Sequence, residues 1–324
     1  MLASSIITRQ ARWIVSSLVV IVLVAAPITL YRLRDPERLE LDDAARRAAQ
    51  GQFVRLSAGY THYELAGPAD GPVVVLAAGF SVPSYIWDPT FKALTDAGFR
   101  VLRYDYYGRG FSDRPDVPYT QAFYVRQLAE LLDAVKLTGP IDLAGLSFGG
   151  SVVTSFADAY PARVRSLVYM DPSFRTVGTL PPLTDVPFVW DLFTTIFTER
   201  SWADAQLGDF VHPDRFPDWP DRYRVQMQYR GFRRARLSEI VANVSVDQRP
   251  ELQRVGQHGR PVFVVWGKQD PNVPFEFSAS LMELLPQGHL LAVDDSGHLP
   301  LWEQPAVVNP AIVAFLRQVN GMPA

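Results

Sequence analysis

A chain of 324 residues with 48% hydrophobic and 20% charged side chains can build a large folded core and lies far from disordered compositions. A formal charge of −3, with no clustered Lys/Arg face, excludes a nucleic-acid surface, which needs cations to neutralise phosphates. The absence of cysteine excludes thiol catalysis, disulfides and cysteine-bound zinc, and fits either redox compartment.

Residues 13–31, WIVSSLVVIVLVAAPITLY, carry no charge. As a helix they would cover about 28 Å, close to the hydrocarbon thickness of a bilayer. Arg9 and Arg12 precede the run and Arg32 and Arg34 follow it, with Trp13 and Tyr31 where interfacial aromatics are expected. The reading is a retained single-pass anchor within residues 1–34, on either side of the membrane. The competing reading is a cleaved signal peptide, against which Val24-Ala25-Ala26 runs directly into Pro27. Residues 35–51 are charged and alanine-rich and predict a short linker helix ending near Gly51.

From Gln52 the pattern changes. Two alternating runs joined at Ala58-Gly59 predict a hairpin, and after a turn at 69–72 the apolar run 73–77 predicts a buried strand. Helical stretches near 85–97, 120–136 and 149–159 then alternate with strands near 100–104, 141–145 and 165–170. Such alternation implies right-handed βαβ units and a mostly parallel sheet covered by helices on both faces. It breaks at Pro172 and resumes at Pro261, with a strand at 261–266, a helix near 275–285, a strand near 290–293 and a last helix near 304–319. Residues 173–250 are too long for a plain loop and predict a helical cap inserted into a core made of 52–172 and 251–324.

The chemistry centres on Gly145-Leu146-Ser147-Phe148-Gly149, a G-x-S-x-G pattern between an apolar strand and a helix-compatible run. On such a strand-to-helix turn a serine hydroxyl stands above the sheet, and flanking glycines avoid collisions with adjacent backbone. A serine nucleophile needs a base, and the base an acid that holds its tautomer. Of five histidines, His298 follows the strand-like run 290–293 and precedes the last helix, on the sheet edge that also carries Ser147. His62, His212, His258 and His289 read as structural or surface residues. Asp270 follows the strand 262–266 at the same edge, and Asp171, just after Met170, is its rival. The amides of Phe148 and of Phe80, behind Ala78-Gly79, are the candidate donors to a tetrahedral oxyanion.

These residues resemble the α/β-hydrolase superfamily across nearly all of 52–320. AAGFSVPSYIW, RYDYYGRGFSDRP, GKQDPNVP and DDSGHLPLWEQP are similar to its oxyanion loop, its D-x-x-G-x-G-x-S loop, its acid turn and its histidine loop. One departure is Ala78, where the family often has histidine. The resemblance implies a Ser147–Asp270–His298 triad, an oxyanion hole at Phe80 and Phe148 supported by Gly79, Gly145 and Gly149, and no metal or cofactor. Serine at the elbow disfavours dehalogenases and epoxide hydrolases, which use aspartate. It leaves esterases and lipases, with C–C bond hydrolases, perhydrolases and a non-catalytic ligand-binding protein as alternatives. An anchor followed by a capped hydrolase is also similar to membrane-bound monoacylglycerol lipases, which would make the substrate a lipid ester. Phe188, Trp190, Phe193, Ile196, Phe197 and Trp202 would then line an acyl pocket, unless they form the cap's own core.

Overall fold

The computed structural model describes residues 13, 16, 23–175, 179–244 and 246–323. Eight strands form one sheet in the order β1-β2-β4-β3-β5-β6-β7-β8. They are β1 (Gln52–Leu56), β2 (Gly59–Ala66), β3 (Val73–Ala77), β4 (Arg100–Tyr104), β5 (Ile141–Leu146), β6 (Val164–Met170), β7 (Val262–Gly267) and β8 (Gly288–Val293). β2 runs antiparallel to β1 and β4, and all other neighbours are parallel. The continuous apolar runs of β3 and β5 are what a strand covered on both faces requires.

Among the described residues, twelve helices follow a first one, α1, over 23–34. The surface helix α2 (Asp43–Ala48) precedes the sheet, and α3 (Asp88–Asp96), α4 (Gln121–Ala134) and α5 (Phe148–Ala159) pack on the core. Between β6 and β7 lie α6 (Pro187–Phe193), α7 (Glu199–Ala205), α8 (Trp219–Met227), α9 (Phe232–Asn243) and α10 (Arg249–Gln257). The chain closes with α11 (Phe277–Leu284), α12 (Pro300–Glu303) and α13 (Pro305–Asn320). α3 packs with α13, and α5 with α4 and α10. Trp87, Phe99 and Trp266 are fully buried in the resulting core.

Register decides where the loops emerge. Ala77 pairs with Gly145, Leu146 with Met170, and Gly267 with Val293, so β3, β5, β6, β7 and β8 all end at one edge. The segments beginning at Ala78, Ser147, Asp171, Lys268 and Asp294 therefore leave the sheet side by side.

The expected membrane anchor does not hold. Among the described residues no helix is long and apolar enough to cross a membrane. Residues 1–12, 14–15 and 17–22, which include much of the predicted 13–31 span, lie outside the described residues. The end of the run is tied to protein: Tyr31 Oη donates to Asp191 Oδ2 at 2.8 Å, Arg233 donates to Tyr31 Oη at 3.0 Å, and Arg34 donates to the Ile196 carbonyl. Ala26, Pro27 and Leu30 face Leu183, Val189 and Phe193 across a groove of about 410 Å³. An apolar run finds partners in lipid or in protein, and its composition does not distinguish the two.

Beyond α1 the chain is strapped down rather than spaced out. Leu39 bonds Gln228 and Arg230 through its backbone, and Glu37 accepts from the Gly231 and Arg233 amides at 2.7 and 2.6 Å. Within 35–51 the helix covers only Asp43–Ala48, with the Asp42 side chain capping the Ala45 amide.

Candidate active site

Ser147 sits between β5 and α5 with φ +52° and ψ −119°, a conformation that L-residues rarely adopt. The turn is over-determined: the Ser147 amide donates to Met170 O at 2.9 Å, and its carbonyl accepts from Gly150 and Ser173. The two flanking glycines are demanded by close approach. A Cβ on Gly145 would lie 2.4 Å from Gly149 O, and one on Gly149 would lie 2.3 Å from Ala77 O. Gly79 is crowded less severely and by side chains, since its Cβ would meet Leu146 Cδ2 at 2.9 Å and Ser147 Cβ at 3.5 Å. The oxyanion loop thus lies directly against the elbow.

His298 follows β8 and is buried, with its amide donating to Asp209 O at 2.8 Å. Its Nδ1 lies 2.7 Å from Asp270 Oδ2. The other oxygen of Asp270 accepts from the amides of Asn272 and Val273 at 2.7 and 2.9 Å, so the carboxylate cannot swing away. Burial disfavours the His298 imidazolium, but the Asp270 charge and hydrogen bond outweigh it and hold the pKa above 6.5. Asp270 on Nδ1 leaves Nε2 as the atom available to a proton donor.

Ser147 and His298 line the same cavity of about 460 Å³, without a hydrogen bond between them in this conformation. Phe80 and Phe148 also line it. The structure therefore brings together every residue singled out in the sequence for nucleophile, base, acid and oxyanion donor. Asp171, the rival acid, is fully buried beside the pair and donates its amide to Val265 O while its Oδ1 accepts from the Gly267 amide at 2.8 Å. Burial and the neighbouring Asp270 charge push its pKa well above the ordinary aspartate value. Asp171, Asp270 and His298 offer ligand-type atoms within 4.8 Å of one another, but Asp270 and His298 already bond each other.

The expected acyl pocket is corrected. None of Phe188, Trp190, Phe193, Ile196, Phe197 and Trp202 lines the Ser147 cavity. Phe188 and Phe197 are 76% and 67% exposed, while Trp190 and Ile196 pack inside the helical segment. The apolar wall comes instead from Val82, Leu146, Ile240, Val244 and Leu299. The α9 contribution was missed because FRRARLSEIVAN is dominated by charge, and its apolar residues become a pocket wall only once α9 lies over the sheet edge. Asp209 was missed too, since it contributes a backbone carbonyl and no pattern marks it.

An eight-stranded, mostly parallel sheet with a serine elbow and a His–Asp pair at its C-terminal edge defines a hydrolase of the doubly wound α/β class. The family model described as "Alpha/beta hydrolase family" matches residues 74–311, and the chain belongs to that family. Among its relatives is a cis-3-alkyl-4-alkyloxetan-2-one decarboxylase from Xanthomonas campestris pv. campestris, 29% identical over 78% of this chain and 90% of the relative. A 2-hydroxy-6-oxononadienedioate/2-hydroxy-6-oxononatrienedioate hydrolase from Dechloromonas aromatica is 26% identical over 83% of this chain and 96% of its own length. The crystal structure of a thermophilic esterase from Thermogutta terrifontis superposes with a TM-score of 0.70 at 26% identity, covering 83% of this chain and 99% of the esterase. These relatives fix the chain as a hydrolase-fold enzyme, and their reactions span several bond types. The similarity to membrane-bound monoacylglycerol lipases rested on the anchor and goes with it, as does the bilayer as a partner.

Proposed function

We propose that this enzyme is a serine carboxylester hydrolase working through an acyl-enzyme. Ser147 Oγ attacks the ester carbonyl while His298 Nε2 takes its proton. Asp270 holds the imidazolium, and the Phe80 and Phe148 amides receive the oxyanion. His298 returns the proton to the departing alcohol, and water activated by the same nitrogen releases the acid. α6–α9 serve as the cap, with Ile240 of α9 and Val244 just after it facing an apolar acyl group.

The observation that carries this reading is the strained Ser147 placed in one cavity with a His298 whose Nδ1 is already bonded to Asp270. The cavity is of a size that holds small organic substrates. C–C bond hydrolysis is the second reading. It is favoured by Arg175, which lines the cavity with its guanidinium 4.2 Å over the Phe277 ring and could receive a substrate carboxylate. A panel of p-nitrophenyl esters of rising chain length, run beside a vinylogous dioic acid, separates the two. Ester turnover that disappears in Ser147→Ala supports the first. Labelling by a fluorophosphonate with turnover of the dioic acid alone supports the second, and absence of both leaves a ligand-binding protein.

A further inference from the structure

The loop Gly108-Arg109-Gly110 places a cation behind the active-site wall. Arg109 is 2% exposed and does not line the Ser147 cavity. One guanidinium nitrogen donates to the carbonyl of Gly79, and the other to Glu239 Oε1 of α9. Its central carbon lies 5.8 Å from the Phe80 ring centroid and 5.4 Å from that of Phe148, with Tyr106 at 4.9 Å and Tyr124 at 5.7 Å. The side chains of both candidate oxyanion residues therefore pack around one guanidinium.

The Gly79 carbonyl belongs to the same planar peptide unit as the Phe80 N–H. In a trans peptide these two groups point in opposite directions. Pinning the carbonyl toward Arg109 therefore turns the N–H away from it, and a cation on the oxygen strengthens the N–H as a donor. The far side of the loop is clamped as well. Gln226 of α8 donates to Ser81 O at 2.8 Å and accepts from the Gly110 amide at 2.9 Å, and Tyr223 donates to Ser81 Oγ at 3.0 Å. The peptide before Phe80 is thus held by Arg109 of the GRG loop, and the residue after it, Ser81, is held through its carbonyl and hydroxyl by Gln226 and Tyr223 of α8.

We infer that Arg109 is a positioning residue that fixes and polarises the Gly79–Phe80 peptide of the oxyanion hole, with Glu239 holding Arg109 in place from the helical segment above. The inference rests on the serine-hydrolase reading and deepens it by giving α9 a second task besides walling the pocket. Glu239 also neutralises the cation, so the wall behind the oxyanion carries no uncompensated charge.

The test is the double variant Arg109→Met/Glu239→Leu. Replacing a buried ion pair as a unit by apolar groups leaves folding nearly intact, whereas either single change strands a charge. Two rates are measured beside the melting temperature: labelling of Ser147 by a fluorophosphonate, and p-nitrophenyl butyrate turnover. The expected result is a fall of about 10- to 100-fold in both the labelling rate and kcat, with KM within about 3-fold of wild type. Arg109→Lys keeps a cation opposite Glu239 with one nitrogen for two acceptors, and the same two rates should fall about 5-fold or more. Wild-type labelling rates in either variant, or a change confined to KM, would overturn the inference. Labelling depends on the nucleophile and oxyanion hole and not on ester preference. If the wild type is labelled but turns over no ester, the ester reading fails while the labelling rates still judge Arg109. If the wild type is not labelled at all, both fall.

Discussion

The molecule contains two buried His–Asp pairs of nearly equal geometry, and one difference separates them. His62 Nδ1 lies 2.8 Å from Asp105 Oδ2, as His298 Nδ1 lies 2.7 Å from Asp270 Oδ2. Both imidazoles have pKa values above 6.5, because burial is outweighed by the facing carboxylate. The second ring nitrogen decides the role. His62 Nε2 lies 2.6 Å from the Gln50 carbonyl, so both its nitrogens face acceptors, both must donate, and the ring is held as an imidazolium. Phe53 and Phe111 pack on it at 5.1 and 5.6 Å. His298 keeps its Nε2 unbonded in a cavity that it shares with Ser147. A His–Asp pair is thus a structural clamp when saturated and a candidate base when one nitrogen is left open.

Exchanging the roles would break this comparison. The largest expected effect is in the His298 pair: Ser147→Ala or His298→Ala should lower ester turnover by about 10⁴-fold or more with little change in melting temperature, because the triad acts as a unit. Asp270→Asn should follow with a loss of about 10³- to 10⁴-fold in kcat, by removing the acceptor that fixes the tautomer. His62→Leu should do the opposite. It strands the buried Asp105 carboxylate and should cost about 3 kcal/mol in urea unfolding, with kcat per folded molecule near wild type. A His62→Leu protein that is stable but inactive would assign catalysis to the wrong pair.

The pH dependence sharpens the comparison with smaller effects. Despite its burial, Asp105 is drawn down to about 2 by His62 and by the Ser84 and Phe111 amides. Its contribution is therefore complete above the ordinary aspartate pKa and disappears as pH falls toward about 2, on the order of 2 kcal/mol. The His62 contribution has the opposite sign: present below 6.5, it is lost as pH rises through the raised folded value. Urea midpoints of wild type and Asp105→Asn across pH 2–9 should differ most near neutrality and converge at the acid end. For His298, kcat/KM should rise with pH on a limb whose midpoint lies above 6.5. The smallest expected effect is Asp171→Asn, because Asp171 accepts from the Gly267 amide while Asp270 is the carboxylate on His298, and kcat should change by less than about 3-fold. A loss as large as that of Asp270→Asn would make Asp171 the working acid.

Much of the core and of the candidate site was legible in the sequence. Strand and helix periodicities located β1–β8, and a serine between glycines at a strand-to-helix switch, followed by Asp270 and His298 after later strands, marked positions that register then aligned. The order of elements carries that information because loops after parallel strands emerge on one edge. Three features were not legible. The run 13–31 read as a membrane span because its composition says nothing of the contacts that Tyr31 makes with Asp191 and Arg233. The aromatic run at 188–202 read as a pocket because helical stripes do not announce which face meets which neighbour. Glu239 was invisible as a site residue because its partner Arg109 lies far away in the chain.

By itself, the sequence determined the class of fold and singled out candidates for nucleophile, base and acid, since these depend on local periodicity, steric demands at glycines and intrinsic side-chain chemistry. Only the tertiary structure decided which of two His–Asp pairs keeps a free nitrogen, what lines the cavity, and how Arg109 grips the Gly79–Phe80 peptide. Those depend on distances between segments far apart in the chain, which packing sets and composition does not encode.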